Sequence, residues 1–137
     1  MDGTTFVAEA ADEEDIAEAW IKHSQLSNGD RSSRLQAKAE FFWAWETLQK
    51  LVRSDPEKAW CVVEIMWRTD PSDQMLANIA AGPVEEILAR HGARFIDRFE
   101  AVAKAEPIFK KMLGAVWQST IPSDVWDRVK AVAGPTF

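Results

Sequence analysis

One histidine of this chain and three glutamates near it in the sequence could together perform acid–base chemistry. His91 follows Glu85 and Glu86 within two helical turns and precedes Glu100. An imidazole with an orienting carboxylate can act as a general base, but no nucleophile stands beside them. A small enzyme that uses His91 with one of these glutamates is therefore an alternative function, and we assign no catalytic residue.

The same residues also fit structural roles. His91 and Gly92 follow an apolar-periodic segment, where a cation suits the helix dipole and glycine suits a left-handed C-cap. Glu85 and Glu86 lie in a predicted first turn, which the dipole also favours. His23 and His91 lack the spacing of the known metal-binding helix motifs. We therefore expect no metal and no cofactor.

The acidic residues are concentrated near the N-terminus. The net charge is -6, and residues 1–30 hold eight of the 22 acids but one of the 16 bases. Residues 31–137 therefore hold 14 acids and 15 bases. An acidic segment repels phosphate backbones and attracts basic surfaces, so we expect a basic protein partner and no direct nucleic-acid binding. The acids expected to steer that partner are Glu13, Glu14, Asp15 and Glu18.

One tryptophan has no simple place in a core. The chain has seven tryptophans, seven phenylalanines and no tyrosine. On a helical wheel, Trp43 lies opposite Phe41, Trp45 and Leu48. Exposed aromatic anchors are enriched at interface hot spots. We expect Trp43, with Phe42 beside it, to contact a partner or a second copy of the chain. A second helical layer that covers this side, such as the N-terminal helix, is the alternative.

Prolines divide the chain into apolar-periodic segments, each standing where one segment stops and another begins. No segment shows a sustained period-two pattern, so the predicted class is all-α, in one compact multi-helix domain. We expect residues 1–11 to be flexible, residues 12–26 to form an acidic helix and residues 34–133 to form the helical body. The predicted helices span residues 12–26, 34–53, 56–69, 71–81, 83–91, 93–105, 107–118 and 122–133.

Two short segments recur at an offset of 51 residues. Residues 69–73, Thr-Asp-Pro-Ser-Asp, return as residues 120–124, Thr-Ile-Pro-Ser-Asp. The proline at position 56 has a counterpart at position 107. The offset suggests two stacked three-helix units, as in helical repeats. The alternative is that good helix-start chemistry is used twice.

Three further side chains are assigned to the core. Trp45 lies on the apolar face of the helix predicted at 34–53, and Trp117 ends the apolar stripe of the helix at 107–118. Cys61 lies in an apolar run, which predicts a packed thiol in a reducing compartment. The N-terminus has no basic leader and no apolar stretch approaches about 18 residues. We therefore expect a cytoplasmic protein with no membrane segment.

Four sequence features occur in order along the chain: a Gly-Pro-hydrophobic-Glu helix start at residues 82–85, the His91-Gly92 stop, Glu100 and the late Trp117. In these features the chain resembles a bacterial domain family of unknown function. The resemblance covers about residues 40–133 and leaves the acidic first 30 residues outside. It implies a small bacterial helical protein in which Glu85 and Glu100 belong to a buried polar network, and it implies no activity.

The charge asymmetry and the surplus aromatic residue favour a non-enzymatic interaction protein. Such a protein would occlude a basic partner, as toxin-neutralising immunity proteins and nucleic-acid mimics do. The acids of residues 13–18 would steer the partner, and Trp43 with Phe42 would anchor it. Besides the small enzyme, a homodimeric helical adaptor with Trp43 buried between copies is the remaining alternative.

Overall fold

Most of the part of the chain that the structure describes is α-helical. The computed structural model describes residues 11–137. Residues 1–10, on which most of the predicted flexible segment falls, lie outside that range. No β-strand occurs between residues 11 and 137, which confirms the all-α class. The elements are α1 (Glu13–Ser27), α2 (Arg31–Gln36), a first π-helical turn (Ala37–Phe41), α3 (Phe42–Ser54), α4 (Pro56–Thr69), α5 (Asp73–Ile79), a second π-helical turn (Ala80–Val84), α6 (Glu85–Ala105), α7 (Pro107–Leu113) and α8 (Ser123–Val132).

The chain divides into two compact units, and the division falls inside α4. The N-terminal unit is Met1–Val62 and the C-terminal unit is Val63–Phe137. Each has its own fully buried apolar side chains, as the hydrophobic effect requires of a stable unit. In the N-terminal unit these include Ile16, Ala17, Ala44, Leu48 and Val62; in the C-terminal unit they include Leu76, Ile79, Ile87, Phe95, Phe99, Phe109 and Met112.

The first two helices begin at aspartate caps. The Asp15 N–H donates to Asp12 Oδ1 at 2.8 Å, and the Ser33 N–H donates to Asp30 Oδ1 at 2.8 Å. These contacts satisfy backbone donors that a helix start otherwise leaves unpaired. The bond from the Ser33 N–H also holds the pKa of Asp30 below its ordinary value, because it favours the charged carboxylate.

The helix predicted at 34–53 begins earlier and contains a π-helical turn. Helical backbone starts at Arg31, and the π turn of residues 37–41 ends at Phe41, whose φ of -124° and ψ of -6° are not helical. A π turn inserts one extra residue into a helix and changes the direction of the side chains that follow. A helical wheel drawn for a regular α-helix therefore gives wrong side-chain directions across residues 37–41.

The break predicted near Pro83 is also a π-helical turn. Pro83 lies inside residues 80–84, and the helix continues from there into α6. Proline has no N–H to donate to the preceding turn, and its ring crowds the carbonyl four residues earlier. A locally widened turn accommodates both effects, so the predicted segments 71–81 and 83–91 are joined rather than separated.

The predicted helix stop at His91 and Gly92 is a kink inside α6. His91 has φ -133° and ψ 25°, and helical geometry resumes after it. No glycine in residues 11–137 has a positive φ, so the predicted left-handed C-cap at Gly92 is wrong. Gly92 instead permits close packing, because a Cβ atom there would lie 2.9 Å from both methyl groups of Val125 in α8.

The helix predicted at 107–118 ends at Leu113. The chain then forms turns as far as α8, and the C-terminal tail crosses Gly114. A Cβ atom on Gly114 would overlap the carbonyl oxygen of Pro135, and the Gly134 N–H donates to the Lys110 carbonyl oxygen at 2.9 Å. Gly114 is therefore required by the backbone that passes over it.

The two segments related by the 51-residue offset share their helix starts but not their helix lengths. Pro56 and Pro107 each occupy the first position of a helix, where the missing N–H has no intrahelical role. The helix that Pro56 starts has 14 residues, whereas the one that Pro107 starts has 7. The recurrence is therefore closest in the helix-start residues, and it does not extend to the helix lengths.

Candidate partner-binding surface

The acidic residues of α1 lie close together near its start. Glu14, Asp15 and Glu18 are exposed to solvent, and Glu13 is half-buried. All four fall within two turns, where the positive end of the helix dipole favours negative charge. The four predicted acidic residues therefore share one short helical surface.

An open groove of about 420 Å³ runs along α1 beside the start of α3. Asp15 and Glu18 supply two carboxylates to it, and Lys22 supplies one opposing charge. The structure thus brings two of the predicted acids together with Trp43. The groove is lined by Ala11, Asp15, Glu18, Ala19, Lys22, Phe41 and Trp43.

Trp43 is half-buried rather than turned fully away from the protein. Its side chain lines the groove with residues of α1, so the alternative of coverage by the N-terminal helix holds in part. The next turn is fixed by the Thr47 hydroxyl, which donates to the Trp43 carbonyl oxygen at 2.6 Å. Thr47 itself is buried. The backbone that carries the Trp43 indole is therefore fixed by a hydrogen bond to a buried side chain.

An exposed aromatic stack lies next to this groove. The rings of Phe42 and Trp45 are 5.3 Å apart and nearly parallel, and each side chain is 36% exposed. His23 of α1 contacts Phe42 with ring centroids 5.7 Å apart. Burial lowers the pKa of His23, which favours the neutral imidazole. Lys22 lines the groove, and His23, the next residue of α1, contacts Phe42. The groove and the Phe42–Trp45 stack are therefore neighbours along α1.

The assignment of Trp45 to the core was wrong because the predicted apolar face was too wide. The buried face of α3 is centred on Ala44, Leu48 and Leu51. At about 100° per residue, Trp45 lies on one flank of this face and Trp43 lies on the other. Phe41 precedes the regular part of the helix, so it gives no guide to the direction of that face.

The glutamates of the alternative catalytic site each bind a different group. Glu86 accepts from Arg90 Nε at 2.8 Å, and Glu85 accepts from the backbone N–H of Trp117 at 3.1 Å. The ring of His91 lies 6.4 Å from that of Phe95 in an edge-on contact. The carboxylates of Glu85 and Glu86 are thus engaged with an arginine and a loop backbone.

Glu100 takes part in an ion-pair cluster at the surface. Arg128 of α8 donates to Glu100 at 2.9 Å and 2.5 Å, and to Asp97 at 2.7 Å. The hydrogen bonds from Arg128 lower the pKa of Glu100. Glu85 and Glu100 are both partly exposed and bind different residues. The prediction, implied by the resemblance, that Glu85 and Glu100 belong to a buried polar network is therefore wrong.

Trp117 is an exposed aromatic residue that the sequence reasoning placed in the core. Its side chain is 74% exposed, although Val116 and Ile121 in the same loop are buried. The apolar stripe of α7 does not reach Trp117, because the helix ends at Leu113. Gly114, a common residue just past a helix end, was the signal that could have revealed this.

Neither a metal-binding cluster nor a membrane-spanning helix occurs in residues 11–137. No group of three or more histidine, cysteine, aspartate and glutamate side chains in that range is placed to hold a metal ion. Within the same range, no helix combines the length and the apolar composition that crossing a bilayer requires.

The comparison with known proteins gives a family but no activity. No curated protein matches the chain, and no solved structure does. The sequence profile of DUF6869, a family of unknown function, matches residues 31–136. The matched range includes Phe42, Trp43 and Trp45, whereas the acids of α1 precede it. Since the match covers more than half of its length, the chain belongs to the DUF6869 family.

Proposed function

We propose that this protein is a non-enzymatic interaction protein that binds and occludes a basic protein partner, as immunity proteins and nucleic-acid mimics do. The observation that supports this most directly is the groove beside α1, in which Asp15 and Glu18 line the same hollow as Trp43. Carboxylates and an indole together are suited to a cationic surface that carries apolar groups.

The exposed acids of α1 would act before contact. Glu14, Asp15 and Glu18 project into solvent from consecutive turns, so their fields add in one direction. Clustered charge of this kind raises association rates with an oppositely charged partner by about 10-fold to 10³-fold at low salt. The steering effect must weaken as salt screens these charges.

The aromatic residues would hold the complex after contact. The Phe42–Trp45 stack presents two partly exposed rings, and it adjoins the groove that Trp43 lines. Truncation of an aromatic hot spot costs about 2 kcal/mol or more of binding free energy. A second copy of the chain is a less suitable partner for this face, because it would place one acidic α1 against another.

The test is capture from a lysate of the native host, followed by measurement on the purified partner. We expect a basic protein whose association rate falls steeply with added NaCl. The variant Glu13→Gln/Glu14→Gln/Asp15→Asn/Glu18→Gln should associate about tenfold more slowly at low salt. The control Asp73→Asn/Asp97→Asn/Asp124→Asn/Asp127→Asn makes the same charge change at exposed acids of the C-terminal unit and should keep most of the rate. A partner that binds independently of salt and of the α1 acids would contradict the proposal.

A further inference from the structure

We propose that the groove beside α1 receives an arginine side chain of the basic partner, an inference that rests on the proposed function. The groove combines three features that a guanidinium group requires together. It has two carboxylates, an aromatic lining and a single net negative charge. The carboxylate pair and the aromatic lining favour arginine over lysine, and the net charge suits a single cation.

The two carboxylates of the lining can both bind one planar cation. Asp15 and Glu18 are three residues apart on α1, so their side chains emerge from the same side of the helix. A guanidinium group carries five N–H donors in a fixed fork, and it can donate to two carboxylates at once. An ammonium group has three donors at one point and gains less from this arrangement.

The remaining lining favours a weakly hydrated, planar cation. Phe41 and Trp43 are aromatic residues of the lining, and Ala19 is a small apolar one. A guanidinium group is less strongly hydrated than an ammonium group and stacks on aromatic faces, so it loses less on entering such a groove. The methylene stem of arginine can cover apolar side chains such as Ala19 while its head reaches the carboxylates.

Lys22 sets the number of cations that the groove accepts. With Asp15 and Glu18 it leaves the lining with one net negative charge, which one arginine neutralises. Lys22 lies one turn beyond Glu18, so it also repels an incoming cation. Removal of Lys22 should therefore strengthen binding of any cationic ligand at this position.

The experiment compares two fluorescein-labelled helical peptides of equal length and charge, with either arginine or lysine at every basic position. Fluorescence anisotropy with the full chain gives each affinity. We expect the arginine peptide to bind at least about fivefold more tightly. The variant Lys22→Gln should tighten both, and Asp15→Asn/Glu18→Gln should weaken both.

Substitution of Trp43 tests the aromatic contribution. Trp43→Leu keeps an apolar side chain, and it should reduce the preference for arginine while the lysine peptide still binds. Trp117→Leu is the matched control at an exposed tryptophan of the C-terminal unit, and it should leave the preference unchanged. Circular dichroism checks that both variants are folded. Should Trp43→Leu unfold, the Asp15, Glu18 and Lys22 variants still decide the matter.

The outcomes separate this inference from the proposed function. Equal affinity of the two peptides, with loss of both in Asp15→Asn/Glu18→Gln, overturns the arginine site and leaves a basic-partner surface in place. A preference for arginine that is undiminished in Trp43→Leu also overturns the site. Failure of both peptides to bind at low salt overturns the arginine site, whereas the proposed function is decided separately by the capture experiment.

Discussion

The carboxylate of Glu85 accepts a hydrogen bond from the backbone N–H of Trp117, with 3.1 Å between Oε2 and N. This contact links the first turn of α6 to the loop that follows α7. Val116 and Ile121 anchor the same loop by burial, whereas the Trp117 indole is 74% exposed. Trp117 has the most exposed large apolar side chain in residues 11–137. Its backbone is nevertheless fixed by the Glu85 hydrogen bond and by the burial of Val116 and Ile121.

Removal of the Glu85 carboxylate should loosen the backbone at Trp117. In Glu85→Ala the Trp117 amide loses its acceptor, so its hydrogen exchange should accelerate by about two- to tenfold, the equivalent of one ordinary hydrogen bond. Glu85→Gln retains a side-chain oxygen and should exchange at nearly the wild-type rate. Amide exchange followed by NMR measures both. Equal acceleration in the two variants would show that this contact does not restrain the loop.

Glu85 should also make stability depend on pH. Burial is the main cause that raises its pKa, while the bond from the Trp117 N–H opposes the rise. The folded protein therefore holds the proton to a higher pH than the unfolded chain, and stability falls as pH rises from the ordinary carboxyl pKa through the raised one. Glu85→Gln cannot lose a proton, so its stability relative to wild type should increase across that range. Denaturant titrations at several pH values measure this difference, and a constant difference would contradict the assignment.

Cys61 should react readily in the native protein. The sequence predicted a packed thiol, but the structure places this residue on an exposed side of α4. The two residues that follow it, Val62 and Val63, are fully buried. Ellman's reagent should therefore modify native Cys61 within about tenfold of the rate for the urea-unfolded chain. Modification that required prior unfolding would contradict the exposure, and Cys61→Ser identifies any background reaction.

The periodic pattern of apolar residues predicted most of the helices, because burial of one helical face determines both the apolar spacing and the helix that carries it. The start of α4 at Pro56 and the end of α6 at Ala105 follow from proline and apolar spacing alone. The π-helical turns could not be predicted in this way, since their extra residue leaves no mark in composition. Trp45 was misplaced as a result of assuming one wide face for the whole of the helix predicted at 34–53.

The candidate surface was predicted from charge and aromatic content, but its shape was not. The sequence singled out Asp15, Glu18 and Trp43 as separate features, and the structure places them on one groove. Lys22 was not assigned to the site, because a single basic residue among acidic residues is typical of an ordinary solvated surface. Whether residues far apart in sequence share a hollow depends on helix packing, which periodicity along one helix does not encode.

Gly92 and Val125 should show a strong energetic coupling. A Cβ atom at position 92 would lie 2.9 Å from both Val125 methyl groups, closer than nonbonded carbon atoms approach. Gly92→Ala should therefore destabilise the protein by about 1–3 kcal/mol, despite the gain in helix propensity that alanine brings.

A second substitution tests whether this overlap is the cause. In Gly92→Ala/Val125→Ala the extra methyl group enters the space that valine vacates, so the double variant should be about 0.5–3 kcal/mol more stable than the two single changes predict together. The matched control is a double-mutant cycle of Gly92→Ala with Val129→Ala, since Val129 is a fully buried valine one turn further along α8. The two changes in stability should be close to additive in that cycle. Urea denaturation gives all the free energies. Equal coupling in the two cycles would mean that Gly92→Ala shifts α8 as a whole rather than meeting Val125 alone.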